Sequence, residues 1–243
     1  INLPVLLLSH TIRQSINRFN DLHNIRVLLE FDNLKINQYG KDNIKKVVDQ
    51  ILDHPAVQEL DELDSFISEV GHWNFHGDNV LIEDLKAPEK FTVIDPDISI
   101  DTCDPLFTLA RFLYTYPHDT ADYNQYIIES NCLSPMQGKS TYFNIRILWP
   151  QVVSKLYSEL FNSILHQHSL KSTELVTDLD NRNELLRLKL NYLLCLLRGV
   201  CANYEAAFTF HAGKPNFFQN KGVFLYLQTV IYANNMRDKL YGN

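Results

Sequence analysis

Gly71-His72-Trp73-Asn74-Phe75-His76-Gly77-Asp78-Asn79-Val80-Leu81-Ile82 is the stretch on which the reading of this chain turns. Two histidines, two asparagines and an aspartate sit between a run with helical periodicity and a run of aliphatic residues. A polar loop that feeds a short apolar strand sets hydrogen-bonding and ligating groups on a rigid support. Binding and catalytic groups concentrate in such loops.

Downstream, Asn79-Val80-Leu81-Ile82-Glu83-Asp84 and Phe91-Thr92-Val93-Ile94-Asp95 are short β-rich runs. The polar link between them contains Lys86, Pro88 and Lys90, so the pair reads as a hairpin by type and length. Asn79 begins the first strand and Asp95 ends the second. Antiparallel pairing brings those two ends together, so an amide oxygen and a carboxylate converge. Hard oxygen donors with room for water and phosphate oxygens suit Mg²⁺. His72 and Asn74 lie just upstream, in the loop that can face the same spot.

Away from the hairpin the periodicity is helical. Ser9 is a plausible N-cap for a helix to about Ile25, with Ile12, Ile16, Phe19 and Leu22 on one face. Asn43 to Leu52 reads as a second helix, with Ile44, Val47, Val48 and Ile51 aligned. Pro55 suits the first turn of a third, running to about Val70. Pro105 to Tyr116 returns to helix, and Asn124–Ser130 ("NQYIIES") extends or follows it. Pro135 to Lys139 is a loop. Apolar-periodic runs at 149–168, 180–208 and 217–240 complete a mainly α chain with one small β-hairpin.

Three matches in the right order give a resemblance. "HWNFHGDNVLI" (72–82), "VIDPD" (93–97) and "CDPLFTLA" (103–110) look like the catalytic region of the aminoglycoside phosphotransferase and choline kinase family. That family's loop reads H-x-D-x-x-x-x-N, followed by an apolar strand and then an I-D motif whose Asp binds Mg²⁺. "NRFNDLHNI" (17–25) is similar to an early helix of the family's large lobe. The matches span roughly residues 10–116.

The resemblance implies the large C-terminal lobe of a protein-kinase-like phosphotransferase. Residues 1–243 would form one lobe: helices over 1–70, catalytic loop and metal-binding hairpin over 71–103, and a helical acceptor-site region over 104–243. It implies transfer of the γ-phosphate of ATP (or GTP) to a hydroxyl of a small molecule. An aminoglycoside, an amino alcohol or a sugar would serve as acceptor. Asn79 and Asp95 would hold Mg²⁺ and through it the nucleotide. His72 would pack and hydrogen-bond to hold the loop, and position 74 would face the acceptor hydroxyl.

Position 74 departs from the family. The family's Asp orients and deprotonates the attacking hydroxyl; Asn accepts a hydrogen bond but takes up no proton. An alternative register on His76-Gly77-Asp78 fails, because the fifth residue after Asp78 is Glu83 rather than Asn. Three readings stay open: an Asp→Asn change in an otherwise normal enzyme, a natural pseudoenzyme, or a carboxylate supplied by Asp78. A second departure is that no G-x-G occurs and no β-rich segment precedes residue 10. The nucleotide-covering small lobe is then expected upstream of Ile1 or on another chain. The competing class is a pseudokinase module that binds nucleotide or a partner without catalysis. A third is a helical interaction domain whose motif match is accidental.

The bulk properties narrow the partners. Hydrophobic residues make up 45% of the 243, enough to bury a sizeable core. A net charge of −7 gives no global basic footprint for nucleic acid. No run approaches about 18 apolar residues, so no membrane span is expected. Four cysteines, at 103, 132, 195 and 201, form no C-x-x-C pair. Cys195 and Cys201 read as small buried hydrophobes, which favours a reduced, cytoplasmic setting. Asp97 reads as a cap or solvated group rather than a second-metal ligand, and Asp104 as the N-cap before Pro105. His10, His23 and His54 read as surface or satisfied core groups. His166 and His168 are too close in sequence to share a helix face. The aromatic segment 203–218 reads as core before it reads as pocket lining.

Overall fold

The structure is a computed structural model. It describes residues 8–62, 75, 79–87, 90–95, 105–118, 126–130, 141–147, 159, 178–206 and 215–242. The chain divides into two compact units, one of 1–5, 62–120 and 150–195, the other of 6–61, 121–149 and 196–243.

In the second unit, α1 (Leu8–Asn17) leads into a 3-10 turn (Arg18–Asp21) and then α2 (His23–Leu29). The sequence predicts one helix to Ile25; the chain instead breaks at Leu22, which is extended at φ −93° and ψ 103°. The cause is local. Asn20 Nδ2 donates to the Asn17 carbonyl at 2.8 Å, a side chain competing with the backbone ladder. The apolar stripe survives the break, since Ile12, Ile16, Phe19 and Leu22 are all buried.

The second helix agrees with its sequence signals. In α3 (Ile44–Leu52), Asn43 Oδ1 accepts from the Lys45 N–H at 2.9 Å, making Asn43 the N-cap. Asn43 Nδ2 also donates to the carbonyls of Leu29 and Phe31, both at 2.9 Å, and ties the end of α2 to the start of α3. Ile44, Val47, Val48, Ile51 and Leu52 are buried on one face. The next helix, α4 (Pro55–Glu62), starts at the expected Pro. His54 caps it: its Nδ1 accepts from the Ala56 N–H at 3.3 Å, and its ring meets the Tyr241 ring edge-on at 5.0 Å.

Four strands went unpredicted. β1 (Asn33–Ile36) and β2 (Tyr39–Asp42) form a hairpin, and β5 (Tyr126–Ser130) and β6 (Thr141–Ile147) complete a sheet in the order β2-β1-β6-β5. β1 pairs antiparallel with β2 and parallel with β6. The expectation of helix over Asn124–Ser130 is therefore corrected to strand from Tyr126. Within the region 104–243, expected to be helical, Thr141–Ile147 is likewise a strand. Along β6 the burial alternates, with Phe143 and Ile145 buried and Tyr142 and Asn144 half-buried. That is the period of a one-sided sheet. The mainly helical class stands, with a four-stranded sheet added to the hairpin.

The turn joining β1 to β2 explains why the hairpin was hidden. Asn37 and Gln38 have φ of 50° and 72°, two successive left-handed residues where a tight hairpin usually carries Asn-Gly. Asn37 is held there because its N–H donates to the Phe143 carbonyl at 2.9 Å and its Oδ1 accepts from the Ile145 N–H at 2.8 Å. Gln38 makes the same left-handed excursion with a side chain that strains it. Gln38→Gly removes about 1–2 kcal/mol of strain and adds up to about 1 kcal/mol of chain entropy cost. The expected net is a gain of about 0.5–1 kcal/mol, read as a higher urea midpoint at unchanged slope. A lower midpoint would contradict the strain argument.

The long carboxy-terminal helices are α6 (Asp178–Ala206) and α7 (Pro215–Leu240). In the second unit, α7 packs on α3 and touches α2, β2 and β5. Buried polar groups on these helices bond the carbonyl four residues back: Asn191 to Arg187, Thr229 to Leu225, Asn234 to Val230. Asn234 does more. Its Oδ1 accepts from the Asp42 N–H at 3.0 Å and its Nδ2 donates to the Asp42 carbonyl at 3.2 Å. A side-chain amide thus pairs with β2 as a further strand would, on the outer edge of the sheet. Arg237 adds an ion pair and hydrogen bond to the Asp42 carboxylate, and Lys41 Nζ donates to Asn235 Oδ1 at 2.9 Å. Burial lowers the Arg237 guanidinium's affinity for its proton, but the hydrogen bonds it donates to Asp42 and Asp238 outweigh that and raise it. Asn234→Ala strips both bonds to the Asp42 backbone from a site with 1% exposure. It is expected to cost about 2–3 kcal/mol in chemical denaturation. A loss under about 0.5 kcal/mol would mean water replaces the amide fully.

In the first unit the described elements are the hairpin of β3 (Val80–Ile82) and β4 (Phe91–Val93), then α5 (Pro105–His118), and α6 as far as Cys195. Helix α5 begins at Pro105 as read, and ends two residues later than expected. Cys195 and Cys201 are buried, as the sequence suggests. No helix among the described residues is long and apolar enough to cross a membrane. The run 149–168, apart from helical Glu159, lies outside the described residues.

Candidate functional site

The hairpin forms where the sequence puts it. Val80, Leu81 and Ile82 pair antiparallel with Val93, Thr92 and Phe91. The ladder continues beyond the strands at both ends. At one end Glu83 N–H donates to the Lys90 carbonyl at 3.3 Å. At the other the Ile94 N–H donates to the Asn79 carbonyl at 2.9 Å. The described part of the connecting link begins with a turn: Asp84 Oδ1 accepts from the Lys86 N–H at 2.8 Å and its carbonyl accepts from the Ala87 N–H at 3.0 Å.

That last pair fixes the end of the hairpin that matters. Asn79 is bonded through its carbonyl to the residue immediately before Asp95. The two residues expected to supply oxygen ligands therefore occupy neighbouring positions across the ladder. Their settings differ. Asn79 is 6% exposed, whereas Asp95 is exposed. Asp95 also has φ 53°, which takes the chain out of the strand in a left-handed step. Asp tolerates that region better than most residues, because its short side chain can bond locally. Asp95 stands exposed, two residues past the end of β4.

The donor set suits a hard cation. An amide oxygen and a carboxylate are oxygen ligands of the kind Mg²⁺ takes, and Mg²⁺ binds through one or two carboxylates with phosphate and water completing its shell. Among the described residues no group of three or more His, Cys, Asp or Glu is disposed to hold a metal.

The loop is represented by Phe75. Its ring lies 5.4 Å from that of Phe112 on α5, at 37°. Phe75, the apolar residue in the polar stretch, thus contacts the helix that follows the hairpin. The sequence reading passed over Phe75; the available signal was an aromatic side chain flanked by Asn74 and His76. One turn along α5, Arg111 sits 5.1 Å over the Tyr114 ring, and Thr115 Oγ1 donates to the Arg111 carbonyl at 2.8 Å. His72, Asn74, His76, Asp78, Asp97 and Asp104 lie outside the described residues, as do His166 and His168.

The hairpin is unusual in its exposed apolar surface. Leu81, Ile82, Leu85, Phe91, Val93 and Ile94 are six of the eight large hydrophobics exposed among the described residues. Ile82 and Phe91 are directly opposed and share one face with Val80 and Val93. An apolar surface therefore adjoins the Asn79–Asp95 end.

Comparison with known proteins finds no matching family, no matching curated relative and no matching solved structure.

Proposed function

We propose that this chain is the large lobe of a small-molecule phosphotransferase resembling the aminoglycoside and choline kinases. The observation that carries the reading is the juxtaposition of Asn79 and Asp95 at one end of a hairpin, behind the 72–79 motif. On this reading Asn79 and Asp95 hold Mg²⁺, with ATP or GTP bound through its phosphates. The cation would neutralise charge on the β- and γ-phosphates. His72 fixes the loop, and position 74 lies against the hydroxyl of an aminoglycoside, amino alcohol or sugar. The exposed apolar face of the hairpin is chemically suited to a nucleotide base.

Asn74 favours a second reading from the same site, a pseudokinase module that binds nucleotide without transferring phosphate. Its amide accepts a hydrogen bond from a hydroxyl and leaves the proton in place.

The test is Mg²⁺-dependent nucleotide binding by calorimetry on the full-length protein, with Asp95 and with Asp95→Asn. Asn keeps the tolerance for φ 53° and removes the charge. A lost charge-assisted contact is worth about 1.5–3 kcal/mol, so affinity for Mg²⁺–nucleotide should fall about 10- to 100-fold. Thermal stability should stay close to that of the parent, since the side chain is exposed. Equal binding by both proteins removes Asp95 from the metal site. Absence of Mg²⁺-dependent binding by the parent sinks both readings.

A further inference from the structure

We draw no further inference here: the strongest candidate, the exposed apolar face of the Val80–Val93 hairpin with Leu85 85% exposed at its tip, carries nothing because nothing in the structure shows what covers it, and its tip sets Glu83 and Asp84 against Lys86 and Lys90 without favouring a partner of either charge.

Discussion

Asn74→Asp is expected to raise Mg²⁺-dependent phosphoryl transfer by about 10²–10⁴-fold, the range a positioned general base contributes. The expectation follows from the proposed register, in which residue 74 faces the acceptor hydroxyl. In that register Asn would orient the hydroxyl through one hydrogen bond, so binding should change little while turnover changes greatly. The measurement is single-turnover transfer to a panel of amino alcohols, aminoglycosides and sugars, on protein that includes the nucleotide-covering lobe. A gain in rate at unchanged nucleotide affinity identifies a kinase site held back by one atom. Nucleotide binding with no transfer by either form identifies the pseudokinase. A gain from changing Asp78 instead of Asn74 would move the register and reopen the site.

The second large effect concerns stability. Phe19→Ala is expected to cost about 3–5 kcal/mol, against a total of about 5–15 kcal/mol for a typical domain. Phe19 is fully buried in the 3-10 turn, and its ring meets that of Tyr226 at 5.7 Å and 62°. Truncation removes an edge-to-face pair as well as buried area, and leaves a cavity beside a phenol. Burial already pushes the Tyr226 phenol above its usual range, a sign of how little water reaches it. Urea unfolding followed by far-ultraviolet circular dichroism gives the number. Phe19→Leu, which keeps most of the volume, should recover more than half of the loss. A cost below about 1 kcal/mol would show that the turn repacks and that the buried seam tolerates a hole.

The parts that could be read from sequence are those whose causes are local. The second helix is expected from Asn43, and in the fold Asn43 caps it, because its acceptor and the Lys45 N–H are two residues apart. Pro55 and Pro105 marked helix starts for the same reason. The β3–β4 hairpin was visible because aliphatic and β-branched residues run into a turn-forming link, and with it came the adjacency of Asn79 and Asp95. The four-stranded sheet was not visible. Its turn uses Asn37-Gln38 in place of Asn-Gly, and Asn37 is held by β6, more than a hundred positions away. Tyr126–Ser130 carries apolar residues that fit either element, and only pairing with β6 decides it. Phe75 was overlooked because nothing in the loop itself signals Phe112. The left-handed step at Asp95 has only a weak sequence marker, an Asp, which tolerates that region without requiring it.

The amide of Asn234 meets the backbone of Asp42 across 192 positions of chain. During synthesis, β2 must therefore wait with one edge open for the residues that close it. β1 must also wait for its parallel neighbour β6. Contacts so distant in sequence slow folding, because a long loop must close before they give any stabilisation. The interval also exposes strand edges to other chains. A ribosome paused near residue 200 would hold a nascent chain with α3 and the β1–β2 hairpin complete in sequence and unsealed. The chain should then depend on chaperones that bind extended apolar segments more than its mainly helical composition suggests.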